Sequence, residues 1–173
     1  MISLTTDFDD FYAGQMKGQI YKINPNAKII DITHKIKRQS VYDAAFVISS
    51  SYFYFPKGTV HVVVVDPGVR SQRDAIVLNC DGHIFVGPDN GVFSLLKGEV
   101  FKIDVTKLNQ KLLGYGVVKS SNTFHGRGLF APTAAFLEIG DKDFLEIKDQ
   151  IMRLSFKKEI SKDSALLTIM YVD

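Results

Sequence analysis

Short aliphatic runs alternate with longer amphipathic stretches along this chain. Ile2–Thr6 alternates as a strand, Asp7-Phe8-Asp9-Asp10 follows, and apolar residues at Phe11, Met16, Ile20 and Ile23 predict a helix over Phe11–Ile23 that Pro25 stops. Lys28–Ile32 is a second strand, with Asp31 inside it and Thr33-His34 at its end. Ser40 as N-cap and Asp43 in the first turn start a helix that runs to about Tyr54. The most concentrated run is Val60 with Val62–Val65, bounded by Pro56-Lys57-Gly58 and Asp66-Pro67-Gly68. It reads as a central strand buried on both faces.

Ala75–Cys80 and His83–Val86 flank Asp81-Gly82, a hairpin signal. A short helix is expected at Val92–Leu96, ended by Gly98, then a strand at Val100–Ile103, and mixed loop and turn over Thr106–Ser121. Leu129–Ile139 is a helix with Pro132 near its first turn and small residues Ala131, Ala134 and Ala135 for close packing. Asp141–Lys162 fits either helix or strand, and Leu166–Val172 is a strand. The alternation predicts a three-layer α/β sandwich around a mostly parallel, Rossmann-like central sheet, the hairpin supplying an antiparallel piece. Residues 1–165 form one α/β domain and 166–173 lead out of it.

Composition narrows the function. The 173 residues are 46% hydrophobic and 23% charged, and the net charge of +2 is spread among mixed signs, so no nucleic-acid partner is expected. Cys80 is alone and reads as a small buried hydrophobe. The first residues form no secretory signal and no run approaches the ~20 apolar residues of a membrane span, so the cytosol is the expected compartment, with no membrane partner. Neither a GxGxxG motif nor a P-loop occurs, so neither a dinucleotide nor a nucleoside triphosphate is indicated.

Three polar clusters sit at element ends. Asp66, Arg70 and Arg73 follow the central strand, at the end where α/β sheets bind ligands. Asp7, Asp9 and Asp10 lie between a strand and a helix start; capping explains one or two, and the remainder suits ribose hydroxyls or an ammonium group. His125 and Arg127 occupy a glycine-flanked loop before the last helix. Turn chemistry alone accounts for Asp66-Pro67-Gly68, and a lone loop histidine is ordinarily just solvated. Three such clusters at element termini are the pattern of a site assembled from several strand ends.

The runs Leu4-Thr5-Thr6-Asp7-Phe8, Tyr12-Ala13-Gly14-Gln15-Met16-Lys17-Gly18, Ile23-Asn24-Pro25 and Ile30-Asp31-Ile32-Thr33-His34 carry a family resemblance. It continues through Tyr54-Phe55-Pro56, Gly58-Thr59-Val60-His61-Val62, Val65-Asp66-Pro67-Gly68-Val69, Val86-Gly87-Pro88-Asp89-Asn90-Gly91, and Thr123-Phe124-His125-Gly126-Arg127 before Phe130-Ala131-Pro132. In these runs the chain resembles the S-adenosyl-L-methionine (SAM) hydroxide adenosyltransferases, the SAM hydrolases related to fluorinase and chlorinase. The resemblance implies hydrolysis of SAM to adenosine and L-methionine by attack of water or hydroxide at ribose C5′. It places the water-activating set on Asp66, Arg73 and His125. Chemically, Arg73 and a protonated His125 suit stabilising hydroxide, while Asp66 either accepts a proton or orients the water; the adjacent guanidinium weakens the carboxylate as a base, which favours Asp66 as orienter and Arg73 as the main anion stabiliser. The resemblance assigns the ribose hydroxyls to Asp7, the pocket lining to Phe124 and the surroundings of the methionine amino group to Asp10 and Asp173, and it counts Asn90 among the substrate-binding residues. No cofactor and no metal are implied; SAM is substrate.

The resemblance also implies a homotrimer whose substrate lies between one subunit's N-terminal domain and a neighbour's C-terminal β-barrel, and the sequence stops at Tyr171-Val172-Asp173, where that second domain would begin. Impaired turnover is therefore expected, and a nucleoside-binding or assembly module without catalysis is the alternative. Three departures stand out: a Asp7–Tyr12 spacing about two residues short, Arg70 where glycine is usual, and Gly128 where an aspartate is usual. Halide-dependent transfer fits less well, because a carboxylate and an imidazole stand where an anion would have to bind.

Overall fold

The computed structural model describes residues 1–68, 71–117, 124–159 and 168–171. No helix among them is long and apolar enough to cross a membrane. The valine run forms β3 (Val60–Val64), buried at every position. It lies inside a seven-stranded sheet with β1 (Ile2–Thr6), β2 (Ile29–Thr33), β4 (Ala75–Cys80), β5 (His83–Pro88), β6 (Glu99–Ile103) and β7 (Leu145–Lys148). The order is β2-β1-β3-β5-β4-β6-β7. β1 pairs parallel with β2 and β3, and β3 parallel with β5, whereas the β5–β4, β4–β6 and β6–β7 pairs are antiparallel. The expected α/β architecture is thus the one found, with a parallel half and an antiparallel half. Asp81-Gly82 makes the predicted hairpin turn, both residues at positive φ.

Side-chain alternation along β3 sorts the core into two layers. Val60, Val62 and Val64 join Ile2 and Leu4 beneath α1 (Asp10–Ile23) and the last helix, while Val63 and Val65 join Phe85, Ile76 and Leu78 beneath α2 (Val41–Ser51). Cys80 is buried and free, as expected. Ser40 caps α2 by accepting from the Asp43 N–H, and beyond Ser51 the helix tightens into a single 3₁₀ turn over Tyr52–Tyr54.

Several local expectations need correction. Val92–Leu96 is not a helix but two linked turns, in which the Ser94 N–H donates to Gly91 O (2.9 Å) and the Leu96 N–H to Phe93 O (3.0 Å); five residues are too few for an i→i−4 ladder to outweigh burial of Val92, Phe93 and Leu96. Conversely, α3 (Val105–Leu112) occupies part of the stretch expected as loop. Asp104 caps it by accepting from the N–H groups of Thr106 (2.9 Å) and Lys107 (3.0 Å), and Leu108 and Leu112, four residues apart, bury its inner face. The last helix is compound: a π-helical turn over Gly126–Phe130 leads into α4 (Ala131–Glu138), whose small residues let it pack on α1. Within 141–159 two short strands form rather than a helix, β7 joining the main sheet and β8 (Phe156–Glu159) pairing antiparallel with β9 (Thr168–Tyr171).

One close approach gives a stability prediction. A Cβ on Gly98 would stand 1.8 Å from Asn79 O, a backbone atom of the adjacent strand β4. Gly98→Ala is expected to cost about 2–3 kcal/mol, read as a lowered urea midpoint, because the β4–β6 pairing must part to admit the methyl. An unchanged midpoint would refute the contact.

Candidate functional site

β3 ends at a turn made by Asp66-Pro67-Gly68, with the Ser71 N–H donating to Gly68 O (2.9 Å). This turn brings Arg73 back onto the strand end. Its Nε donates to Asp66 Oδ1 (2.6 Å) and its Nη2 to Asp66 Oδ2, a bidentate pair with side chains only 7% and 3% exposed. Nη1 donates to Asp74 O (3.2 Å), and the guanidinium carbon stands 5.7 Å from the Phe130 ring centre. Nη2 also faces His125 Nδ1 at 3.1 Å. The π-helical turn following His125 presents that imidazole to the strand end, so Asp66, Arg73 and His125 meet although the first and last lie 59 positions apart in the chain.

The His125 imidazole is pushed below its ordinary value of 6.5, first by burial and then by the Arg73 guanidinium, with Asp66 opposing. It is neutral near pH 7. Arginine has no lone pair to offer, so Nδ1 accepts and the ring proton resides on Nε2. A protonated His125, as the sequence reading supposed, is therefore not what its surroundings favour. Nor is Arg73 uncommitted: Nε, Nη1 and Nη2 all serve protein acceptors.

A cavity of about 460 Å³ opens beside Asp66. Phe8, Tyr12 and Phe124 line one side, the Phe124 ring meeting Phe8 at 5.3 Å and Tyr12 at 5.2 Å, edge to face. Asp7, Arg38, Gln39 and Arg127 supply the polar wall. Arg127 donates to Gln15 Oε1 (2.7 Å), and its guanidinium carbon lies over the Phe124 ring, 5.7 Å from the centre. A larger cavity of about 730 Å³ lies by the β4–β5 turn, and none of the residues expected to form the site lines it.

The remaining expected residues fall in different places. Asp7 faces the cavity, and its Oδ2 accepts from the Gln39 N–H (2.7 Å). Asn90 points inward: Nδ2 donates to Val65 O (2.9 Å) and Oδ1 accepts from the Val92 N–H (3.2 Å), which secures the backbone just before Asp66. Asp10 is exposed in the first turn of α1 and does not line the cavity, while Asp9 takes the N-cap position without a side-chain hydrogen bond. Arg70 and Asp173 lie outside the described residues. Arg38 and Gln39 were not legible as site residues. Gln39 contributes through its backbone, at φ 64°, and no sequence pattern marks a non-glycine residue held there.

A family model described as the SAM hydroxide adenosyltransferase N-terminal domain matches residues 2–147. The (R)-S-adenosyl-L-methionine hydrolase of Methanocaldococcus jannaschii is 37% identical over 166 residues, covering 92% of this chain and 61% of that protein. The protein of the same name from Salinispora arenicola is 39% identical over 145 residues, covering 80% of this chain and 53% of that protein. A crystal structure of an uncharacterized conserved protein from Thermotoga maritima superimposes with a TM-score of 0.82 at 35% identity, over 94% of this chain and 64% of that one. The chain thus spans between half and two thirds of the length of these relatives.

Proposed function

The chain belongs to the SAM hydroxide adenosyltransferase family, and on that premise we propose that it hydrolyses SAM to adenosine and L-methionine by attack of water on ribose C5′. The observation that carries this reading is the meeting of Asp66, Arg73 and His125 at the end of β3, beside a cavity that also holds Asp7 and Phe124.

The chemistry asks little of an acid. The C5′–S bond breaks with its electron pair leaving on sulfur, and the sulfonium becomes a neutral thioether. The difficult partner is water, a poor nucleophile with a pKa of ~15.7. Asp66 accepts a hydrogen bond from the attacking water, orients it and takes its proton as the C5′–O bond forms, leaving the 5′-hydroxyl of adenosine and releasing the proton to solvent afterwards. The Nε2–H of neutral His125 donates to the same oxygen and fixes its position before attack. Arg73 holds the carboxylate and the imidazole in register. Asp7 receives the ribose hydroxyls, and Phe124 packs against the nucleoside.

The neutral imidazole sets the pH dependence. As pH falls through the lowered value of His125, its Nδ1 gains a proton, stops accepting from Arg73 and turns a hydrogen bond into a repulsion. The expected kcat/KM is level near neutrality and falls on the acid side, with its midpoint below 6.5, and His125→Asn removes that limb. A rate that rises toward acid would contradict a neutral His125. Chromatography of chain incubated with SAM tests the reaction itself: adenosine accumulating with time is the expected product, whereas adenosine binding without turnover would favour the nucleoside-binding module.

A further inference from the structure

We propose that His34 is a positioning residue for the Asp7 carboxylate, acting through Thr6 on the turn that carries it; this rests on the ribose-binding part given to Asp7 above. Asp7 lies one residue beyond β1, whose pairing ends at Thr5 on the β2 side and at Thr6 on the β3 side, so the sheet ladder does not reach the residue that must be aimed. A side-chain chain takes over. Thr6 Oγ1 donates to Phe8 O (3.2 Å), spanning Asp7, and His34 Nδ1 stands 2.8 Å from the same oxygen. With the hydroxyl proton on Phe8 O, the ring N–H at Nδ1 is the donor to Thr6.

The His34 ring is buried, its side chain 8% exposed; Nε2 faces Asp31 Oδ1 at 3.2 Å without a hydrogen bond between them, and Asp31 Oδ2 takes the Lys17 ammonium of α1 at 2.5 Å. The backbone after His34 grips the same turn twice more: the Ile36 N–H donates to Thr6 O (3.3 Å), and Gln39, in the left-handed region at φ 64°, donates to Asp7 Oδ2 (2.7 Å). A non-glycine residue keeps such a conformation only where its surroundings enforce it. The segment from His34 to Gln39 is therefore a brace for one carboxylate.

The test titrates the chain with adenosine and with 2′,3′-dideoxyadenosine, following each by NMR. His34→Ala is expected to weaken adenosine by about tenfold, the worth of one well-made hydrogen bond to a charged group, and to leave the dideoxy compound unchanged. His34→Asn, whose amide N–H stands in for Nδ1–H, restores most of the adenosine affinity. Adding His34→Ala to Asp7→Asn weakens adenosine no further. Unchanged adenosine affinity in His34→Ala, or equal weakening of both ligands, overturns the proposal. If His34→Ala does not fold, His34→Asn binding adenosine no better than Asp7→Asn does the same. Failure of the unsubstituted chain to prefer adenosine over its dideoxy analogue overturns the ribose assignment of Asp7, and the proposal with it.

Discussion

Asp66→Ala is expected to lower folding stability by about 3–5 kcal/mol and, on the proposed reaction, to abolish adenosine formation. The two effects have one origin. Asp66 and Arg73 are an almost fully buried ion pair, and deleting the carboxylate leaves a guanidinium desolvated with only Asp74 O and the His125 ring to receive its N–H groups. For a chain of this length the loss corresponds to a fall in Tm of roughly 10 °C or more. Replacing the cation as well separates the contributions: Asp66→Ala with Arg73→Met regains much of the stability, because a buried ion pair exchanged for packed apolar atoms is often neutral. It regains no activity. A single variant whose unfolding midpoint scarcely moves would mean that the pair is looser than its geometry requires.

Acid is expected to weaken the fold, and His61 is one reason. Its ring lies in the middle of β3 with no exposed surface, Nδ1 2.7 Å from Ser3 Oγ and Nε2 3.2 Å from His83 Nδ1, stacked on Phe85 at 5.0 Å. Burial, reinforced by His83, lowers its pKa to about 3. The unfolded chain takes up a proton near 6.5 that the folded chain refuses until about pH 3. The contribution to instability is absent above pH 6.5, grows as pH falls, and is complete near pH 3. At about 1.4 kcal/mol per pH unit, that window is worth about 4–5 kcal/mol. His83 and His125 are lowered too and add in the same direction. Urea unfolding between pH 7 and 4 should therefore show a falling free energy, and His61→Gln should flatten it. An identical slope in the variant would contradict a neutral buried His61.

What could be read from the chain followed from how local its causes are. The buried strands were legible because burial on both faces writes a β-branched run, as in Val60 with Val62–Val65, whereas β7 and β8 lie in a stretch whose pattern fits helix as well as strand; Ser40 announced α2 because a cap needs only its own neighbourhood. α3 was lost because two leucines four apart are a thin signal, although Asp104 caps it as clearly as Ser40 caps α2. The site was legible in its residue types and not in its geometry. Asp66 and Arg73 share one turn, so their pairing is nearly local, whereas the meeting with His125 depends on a π-helical turn that no periodicity encodes. Asn90 shows the opposite case: its motif marked it for the site, and its side chain instead secures the strand leading to Asp66. Gln39 joined the wall through a left-handed backbone, which side-chain chemistry cannot foretell.

Hydrolysis of SAM in water enriched in heavy oxygen tests the central claim most directly, with the products resolved by mass spectrometry. If the cluster at the end of β3 directs water onto C5′, adenosine carries the label in its 5′-hydroxyl, methionine carries none, and Asp66→Asn suppresses the labelled product. Unlabelled adenosine, or labelled adenosine at an undiminished rate from Asp66→Asn, would contradict it.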